Sequence, residues 1–162
     1  MLSPQLALDQ YLVPASQALE IYNLPHLQIG FGTAGQESGF RSIAQQGDGP
    51  ALGIWQMEPE THDSLWANFI KYRPSIRQAL STCLGGVIIP PPADRLLSDP
   101  IYAAMMMFVR YLDAPGAIPA DLAGQAAYYV RFYNAGGKAT TAEYLNNWKR
   151  FSPGISWPTD TD

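Results

Sequence analysis

Apolar positions recur at helical spacing along most of this chain, and the places where the recurrence stops divide it into elements. Leu8, Leu12, Ala15 and Leu19, spaced four, three and four apart, predict a first helix over residues 4–22, with Ser3 as its cap and Pro4 in its first turn. Asn23 and Pro25 break the chain and open a second helix of small and apolar residues that ends at Glu37. After Phe40 the pattern dissolves into Gln45-Gln46-Gly47-Asp48-Gly49-Pro50, a strong turn signal, and Ala51 to Met57 reads as a short strand or hairpin arm. Thr61 to Tyr72 is helical by pattern, with Leu65, Phe69 and Tyr72 on one face. Pro74 starts a further helix that Gly85-Gly86 ends, and Val87 to Ala93, with its three consecutive prolines, reads as an extended surface linker.

Asp99-Pro100 opens a helix whose stretch from Ile101 to Val109 is apolar on every side, the mark of a helix at the centre of a bundle. Met105, Met106 and Met107 fit there as core fillers. Leu122, Ala126, Tyr129 and Tyr133 line up on a helix from Asp121 to Asn134 that Gly136 and Gly137 stop. A last helix covers about Thr141 to Arg150, and the tail after Phe151, rich in Pro and Asp, is expected to fray. The expectation is a mainly α single domain over residues 1–162, of about six helices, with a small irregular or β-hairpin lobe near residues 44–58.

Composition narrows the chemistry. With 162 residues, 47% of them hydrophobic and 15% charged, the chain has the make-up of one globular domain with a full core. A net charge of −4 without a basic run argues against nucleic acid, and against simple electrostatic adhesion to an anionic wall. The single cysteine, Cys83, excludes an intrachain disulfide and sits among Leu80 and Leu84 as a buried thiol would. His26 and His62 stand far apart, each a surface or cap residue without ligand spacing, so neither metal nor other cofactor is expected. No basic-then-apolar stretch follows Met1, so no secretory signal is expected. Ile101 to Val109 is too short to cross a bilayer, and no membrane partner is expected.

Glu37 is the strongest chemical candidate. Its helical neighbours Gly30, Thr33 and Ala34 are small, so another element can come close. Gly30, Gly32, Gly35 and Gly39 each cost roughly 0.5–1 kcal/mol relative to alanine in a helix, a cost that close packing would offset. A carboxyl group in such a setting is partly desolvated, which raises its pKa and suits it to proton donation near neutrality. The competing reading is a solvated glutamate at a helix end.

The order of the pieces Glu37-Ser38-Gly39-Phe40, Gly53-Ile54-Trp55-Gln56-Met57-Glu58-Pro59 and Tyr133-Asn134-Ala135-Gly136 resembles the catalytic core of the lytic transglycosylase and goose-type lysozyme superfamily. The resemblance spans Glu37 to Gly136 and implies a lysozyme-like domain with the lobe beside a cleft. It implies a muramidase cleaving the β-1,4 bond between N-acetylmuramic acid and N-acetylglucosamine, with Glu37 as proton donor. In transglycosylases the same Glu then acts as base on the sugar's 6-hydroxyl and an anhydro sugar results. Goose-type enzymes instead activate water with a second carboxylate, roughly 6.5–9.5 Å away in an inverting site.

Asp48, in a Gly-Asp corner like that of the goose-type pattern, is the candidate for that second catalytic carboxylate, and otherwise an ordinary turn residue. Glu58 stands where goose-type enzymes can carry another acid, or simply leads into a helix at Pro59. Gln56 and Tyr133 match cleft residues that hydrogen-bond sugar or the catalytic carboxyl; Asn134 belongs to the same element, or caps its helix. Trp55 is either a stacking surface for a sugar ring or a core aromatic. Many transglycosylases have Ser or Thr about nine residues after the catalytic Glu, where this chain has Gln46.

The resemblance implies peptidoglycan glycan strands as partner, a monomer, and no nucleic acid. The setting it implies is a phage lysin, a virion-borne wall hydrolase, or an antibacterial effector with an immunity or inhibitor protein that plugs the cleft. In each, the chain is made in the cytoplasm without a signal peptide and acts in the periplasm or on a bacterial cell wall. The alternative is a catalytically idle wall-binding or virion structural module of the same fold.

Overall fold

The computed structural model describes residues 2–44 and 49–161, and these are mainly helical. The first helix is continuous but not uniform: an α turn Pro4–Ala7 (α1), a π turn Leu8–Leu12 and an α segment Val13–Ala18 (α2). Its stripe of Leu8, Leu12, Ala15 and Leu19 is buried, as the spacing predicts. Ser3 occupies the cap position but its hydroxyl makes no cap bond, and the helix ends before residue 22 because Glu20 takes a positive φ of 59°. Leu24–Glu37 (α3) starts on Asn23, whose side chain accepts from the His26 amide at 3.0 Å.

Pro59–Asn68 (α4) is shorter than its apolar pattern. The backbone leaves the helix at Phe69 (φ −129°), a 3₁₀ turn Ile70–Tyr72 follows, and Tyr72 points outward at 62% exposure, off the face it was expected to share with Leu65. Pro74–Cys83 (α5) ends, as expected, at Gly85 and Gly86, both with positive φ. A short helix Arg95–Ser98 (α6), absent from the sequence reading, precedes Pro100–Asp113 (α7), which Asp99 caps by accepting from the Tyr102 amide at 3.1 Å. Every residue from Tyr102 to Val109 is buried, and α7 packs against α2, α3, α4, α5 and α6. This is the central helix that its all-round apolarity predicts.

Leu122–Tyr128 (α8) runs into a π turn Tyr129–Tyr133, and Thr141–Phe151 (α9) closes the bundle against α3. A full capping box between Thr140 and Glu143 opens α9.

No strand forms among the described residues. The expected hairpin arm is an irregular loop with isolated bridges Ala44↔Leu52 and Leu52↔Met57, tightened by reciprocal bonds between Leu52 and Met57 (3.0 and 3.2 Å). The tail is also a correction, because it docks. Trp157 stacks on Trp148 (5.6 Å between centroids) and meets Phe31 edge-on (5.2 Å), while the Gln5 side chain both donates to Ser156 O and accepts from its amide. His62 is buried, not superficial: its ring bridges the Tyr102 hydroxyl and the Asp63 carboxylate, 2.8 Å to each. No helix among the described residues is long and apolar enough to cross a membrane.

Candidate active site

The glycines of α3 are used for close approach. A Cβ on Gly30 would stand 2.7 Å from Leu12 Cδ2 and 3.0 Å from Met107 Cε, and one on Gly32 would overlap the Tyr144 hydroxyl. α3 is thereby held by the first helix, α7 and α9 together, and its last residue, Glu37, stands at a fixed place at the rim of that packing. Gly39 (φ 60°) and Phe40 (φ 62°) then reverse the chain. A left-handed phenylalanine is costly, and here its ring is locked between Phe31 at 4.9 Å and Phe151 at 5.2 Å.

Ser38 fastens the loop that follows to the end of α3. Its hydroxyl donates to Ile54 O at 2.6 Å and accepts from the Arg41 amide at 3.1 Å. Trp55 is driven inward: its ring N–H donates to Gly30 O at 2.9 Å and the side chain is fully buried. It is therefore the core aromatic of the two readings, and no stacking surface for a sugar. Gln56, with a φ of 48°, turns its amide back onto Ile43 O and Gly53 O, both 2.8 Å, so that it braces the loop while lining the cavity.

The opposite wall comes from the π turn. Asn134 N bonds Tyr129 O at 3.0 Å, the wide π register, which brings Tyr129, Tyr133 and Asn134 to the end of α3 together. Tyr133 donates to Trp55 O at 2.7 Å, clamping the loop and not the carboxylate. The group on Glu37 is instead Tyr129, whose hydroxyl donates to Oε1 at 2.5 Å. The Asn134 side chain lies close enough to favour the ionised Glu37 carboxyl, while its own Oδ1 accepts from Ala139 N at 3.1 Å. Arg110, at the end of α7, lies over the Tyr133 ring at 4.7 Å and adds positive charge near Glu37.

These effects oppose one another. Burial raises the Glu37 pKa, while the Tyr129 bond, the Arg110 charge and the Asn134 side chain lower it, and burial prevails. The Tyr129 and Tyr133 phenols are pushed far above their usual range, first by burial and then by the charge of Glu37, so both stay protonated as donors.

Glu37 opens into a cavity of about 780 Å³ that Gln56, Glu58, Arg110, Tyr133 and Asn134 also line. Arg41 and Arg150 stand on its rim, and Asn147 donates to Gln36 at 2.7 Å across one side. Glu37 and Glu58 are the carboxylates lining it among the described residues; Glu58 is exposed, in the cap position of α4. Asp48 lies outside the described residues. Among the described residues no three His, Cys, Asp or Glu side chains gather as a metal-binding group.

Sequence reasoning missed two members of this site. Tyr129 was placed only on its helix stripe, and Arg110 was not singled out, although it is the first charge after the apolar run from Ile101 to Val109. Comparison of the chain with known protein families, with curated proteins and with solved structures returns no match.

Proposed function

We propose that this chain is a muramidase of lysozyme-like fold that cleaves the β-1,4 bond between N-acetylmuramic acid and N-acetylglucosamine in peptidoglycan. The observation that carries the reading is the Glu37 carboxyl, desolvated by burial and held by the Tyr129 hydroxyl, at the wall of a cavity large enough for sugar rings. Glu37 donates its proton to the bridging oxygen as the glycosidic bond breaks. The oxocarbenium ion that develops lies in a site where the carboxylate just formed offsets its charge. Capture then follows one of two routes. Water activated by a second carboxylate gives hydrolysis; the candidates for it are Asp48, outside the described residues, and Glu58, which lines the cavity. Attack by the sugar's own 6-hydroxyl, with Glu37 now acting as base, gives a 1,6-anhydro product.

The setting proposed with it is action on a bacterial cell wall, as a phage lysin, a virion component or a delivered antibacterial effector. The test is clearance of purified peptidoglycan. Wild type clears it and Glu37→Gln loses at least ~10²-fold in rate, the ordinary contribution of a general acid. Equal clearance by both, or by neither, overturns the enzyme reading in favour of an idle wall-binding or virion module. Mass analysis of the released muropeptides separates the two routes, since anhydro products lack one water.

A further inference from the structure

Val87, Ile88 and Ile89 are 47%, 61% and 71% exposed, and Tyr72 joins them as an exposed aromatic. Lys71 Nζ lies 5.6 Å from the centre of the Tyr72 ring. Ile88 and Pro90 share a surface cavity with Trp66, Lys71 and Arg77, which puts the tip of the loop and the cations of the 3₁₀ turn and α5 on one face. Between Asp63 and Asp94 the chain carries Lys71, Arg73 and Arg77 and no acidic residue, although the net charge of the whole sequence is −4. Asp63 marks one rim of the cavity, with its carboxylate held by the His62 ring at 2.8 Å.

We propose that this face docks on the surface of an anionic lipid bilayer, with the 87–89 loop inserted among the acyl chains and Lys71 and Arg77 among the headgroups. The left-handed turns at Gly85 and Gly86 lead into the loop, and Pro90, Pro91 and Pro92 close it. Prolines lack backbone donors, so this segment is poorly suited to strand addition by a protein partner. An aliphatic tip has no use for ordered polar contacts and every use for hydrocarbon. Tyr72 and the long basic side chains suit the boundary layer, where an apolar stem and a polar end are both satisfied.

The placement also leaves the cleft open. α4 lies between the two regions, with Thr61 lining the Glu37 cavity and Ser64 and Leu65 a neighbouring one, while Asp63, Trp66 and Ala67 line the face proposed here. No membrane partner was expected from the sequence because no apolar run is long enough to cross a bilayer, a criterion blind to a loop that inserts only its tip. The proposal stands apart from the chemistry of Glu37.

Flotation of the full chain with phosphatidylcholine vesicles, and with an equal mixture of phosphatidylcholine and phosphatidylglycerol, tests it. The protein floats with the anionic vesicles only, and added salt releases it. Lys71→Gln and Arg77→Gln weaken binding roughly fivefold for each charge removed. The Ile88→Ser/Ile89→Ser double variant stays at the bottom of the gradient with an unchanged circular dichroism spectrum, since both side chains are already solvated. Failure of the wild type to float, equal flotation with neutral vesicles, or undiminished flotation of the double variant overturns the proposal. So does a wild-type dimer in sedimentation that the double variant loses, since the loop would then face a second copy.

Discussion

At Glu37 a helix-end carboxyl is desolvated by its surroundings and partly reclaimed by three polar neighbours. A general acid has to be protonated before the bond breaks, so a raised pKa extends activity upward in pH, and activity falls as pH climbs through that value. Tyr129 stabilises the ionised form by donating to it. Tyr129→Phe removes that bond, and the Glu37 pKa rises further. The alkaline limb of kcat/KM is expected to move to higher pH, while the maximal rate falls about tenfold because the carboxyl loses its fixed orientation. A pH–rate profile of the two proteins checks this, and a limb moving to lower pH would contradict the assigned role. Glu37 was legible because its small neighbours lie on the same helix within two turns. Tyr129 was not, because it reaches Glu37 across 92 residues and only through a π turn that no composition marks. Trp55 and Gln56 were legible as members of the loop beside the site, but which way each side chain points depends on partners, Gly30 O and Ile43 O, that spacing does not reveal.

At the scale of elements, helical periodicity located the core because burial enforces it: the predicted stripe of the first helix and the all-apolar run of α7 are both buried. The loop at residues 51–57 escaped that logic. Gly53, Ile54 and Trp55 are buried in succession, and a half-buried strand would alternate, so neither a helical nor a strand period describes them. The break at Phe69 was equally hidden, since an apolar pattern runs on through a 3₁₀ turn. The glycines of α3 support a sharper test. Gly32→Ala gains about 0.5–1 kcal/mol in helix propensity, yet its new methyl group overlaps the hydroxyl of buried Tyr144, whose displacement would separate α9 from α3. Overpacking of this kind costs about 1–3 kcal/mol. Urea unfolding of the variant is expected to show a lower midpoint with an unchanged slope, and a midpoint at or above the wild type would mean that α9 moves aside without cost.

On the scale of the whole molecule, α3 is held on two sides, as the acid role proposed for its last residue requires. α7 grips one side of it through Met107 and Phe108 near Gly30, and α9 covers the other through Tyr144 and Phe151. The tail completes that second layer. Composition suggested that residues after Phe151 would fray, since Pro and Asp seldom form a core, but one large aromatic outweighs them: Trp157 covers Phe31 of α3 and Trp148 of α9 at once. The Gln5 and Ser156 pair fixes the tail to the first turn of the chain, and Tyr22 donates to Asp160 at 2.9 Å further on. Trp157→Ala leaves the α3–α9 seam uncovered at its outer edge. Full burial would put the cost at about 3–5 kcal/mol; for a half-buried ring about 2–3 kcal/mol is the better figure. Thermal unfolding should report the loss, and wall clearance measured well below the melting temperature should fall with it, because Phe40 and Phe151 transmit any loosening of that seam to the turn just after Glu37. A variant that melts earlier yet clears the wall at the wild-type rate would confine the tail to stability. One that melts with the wild type would show that the first helix, α7 and α9 fix the Glu37 end of α3 without it.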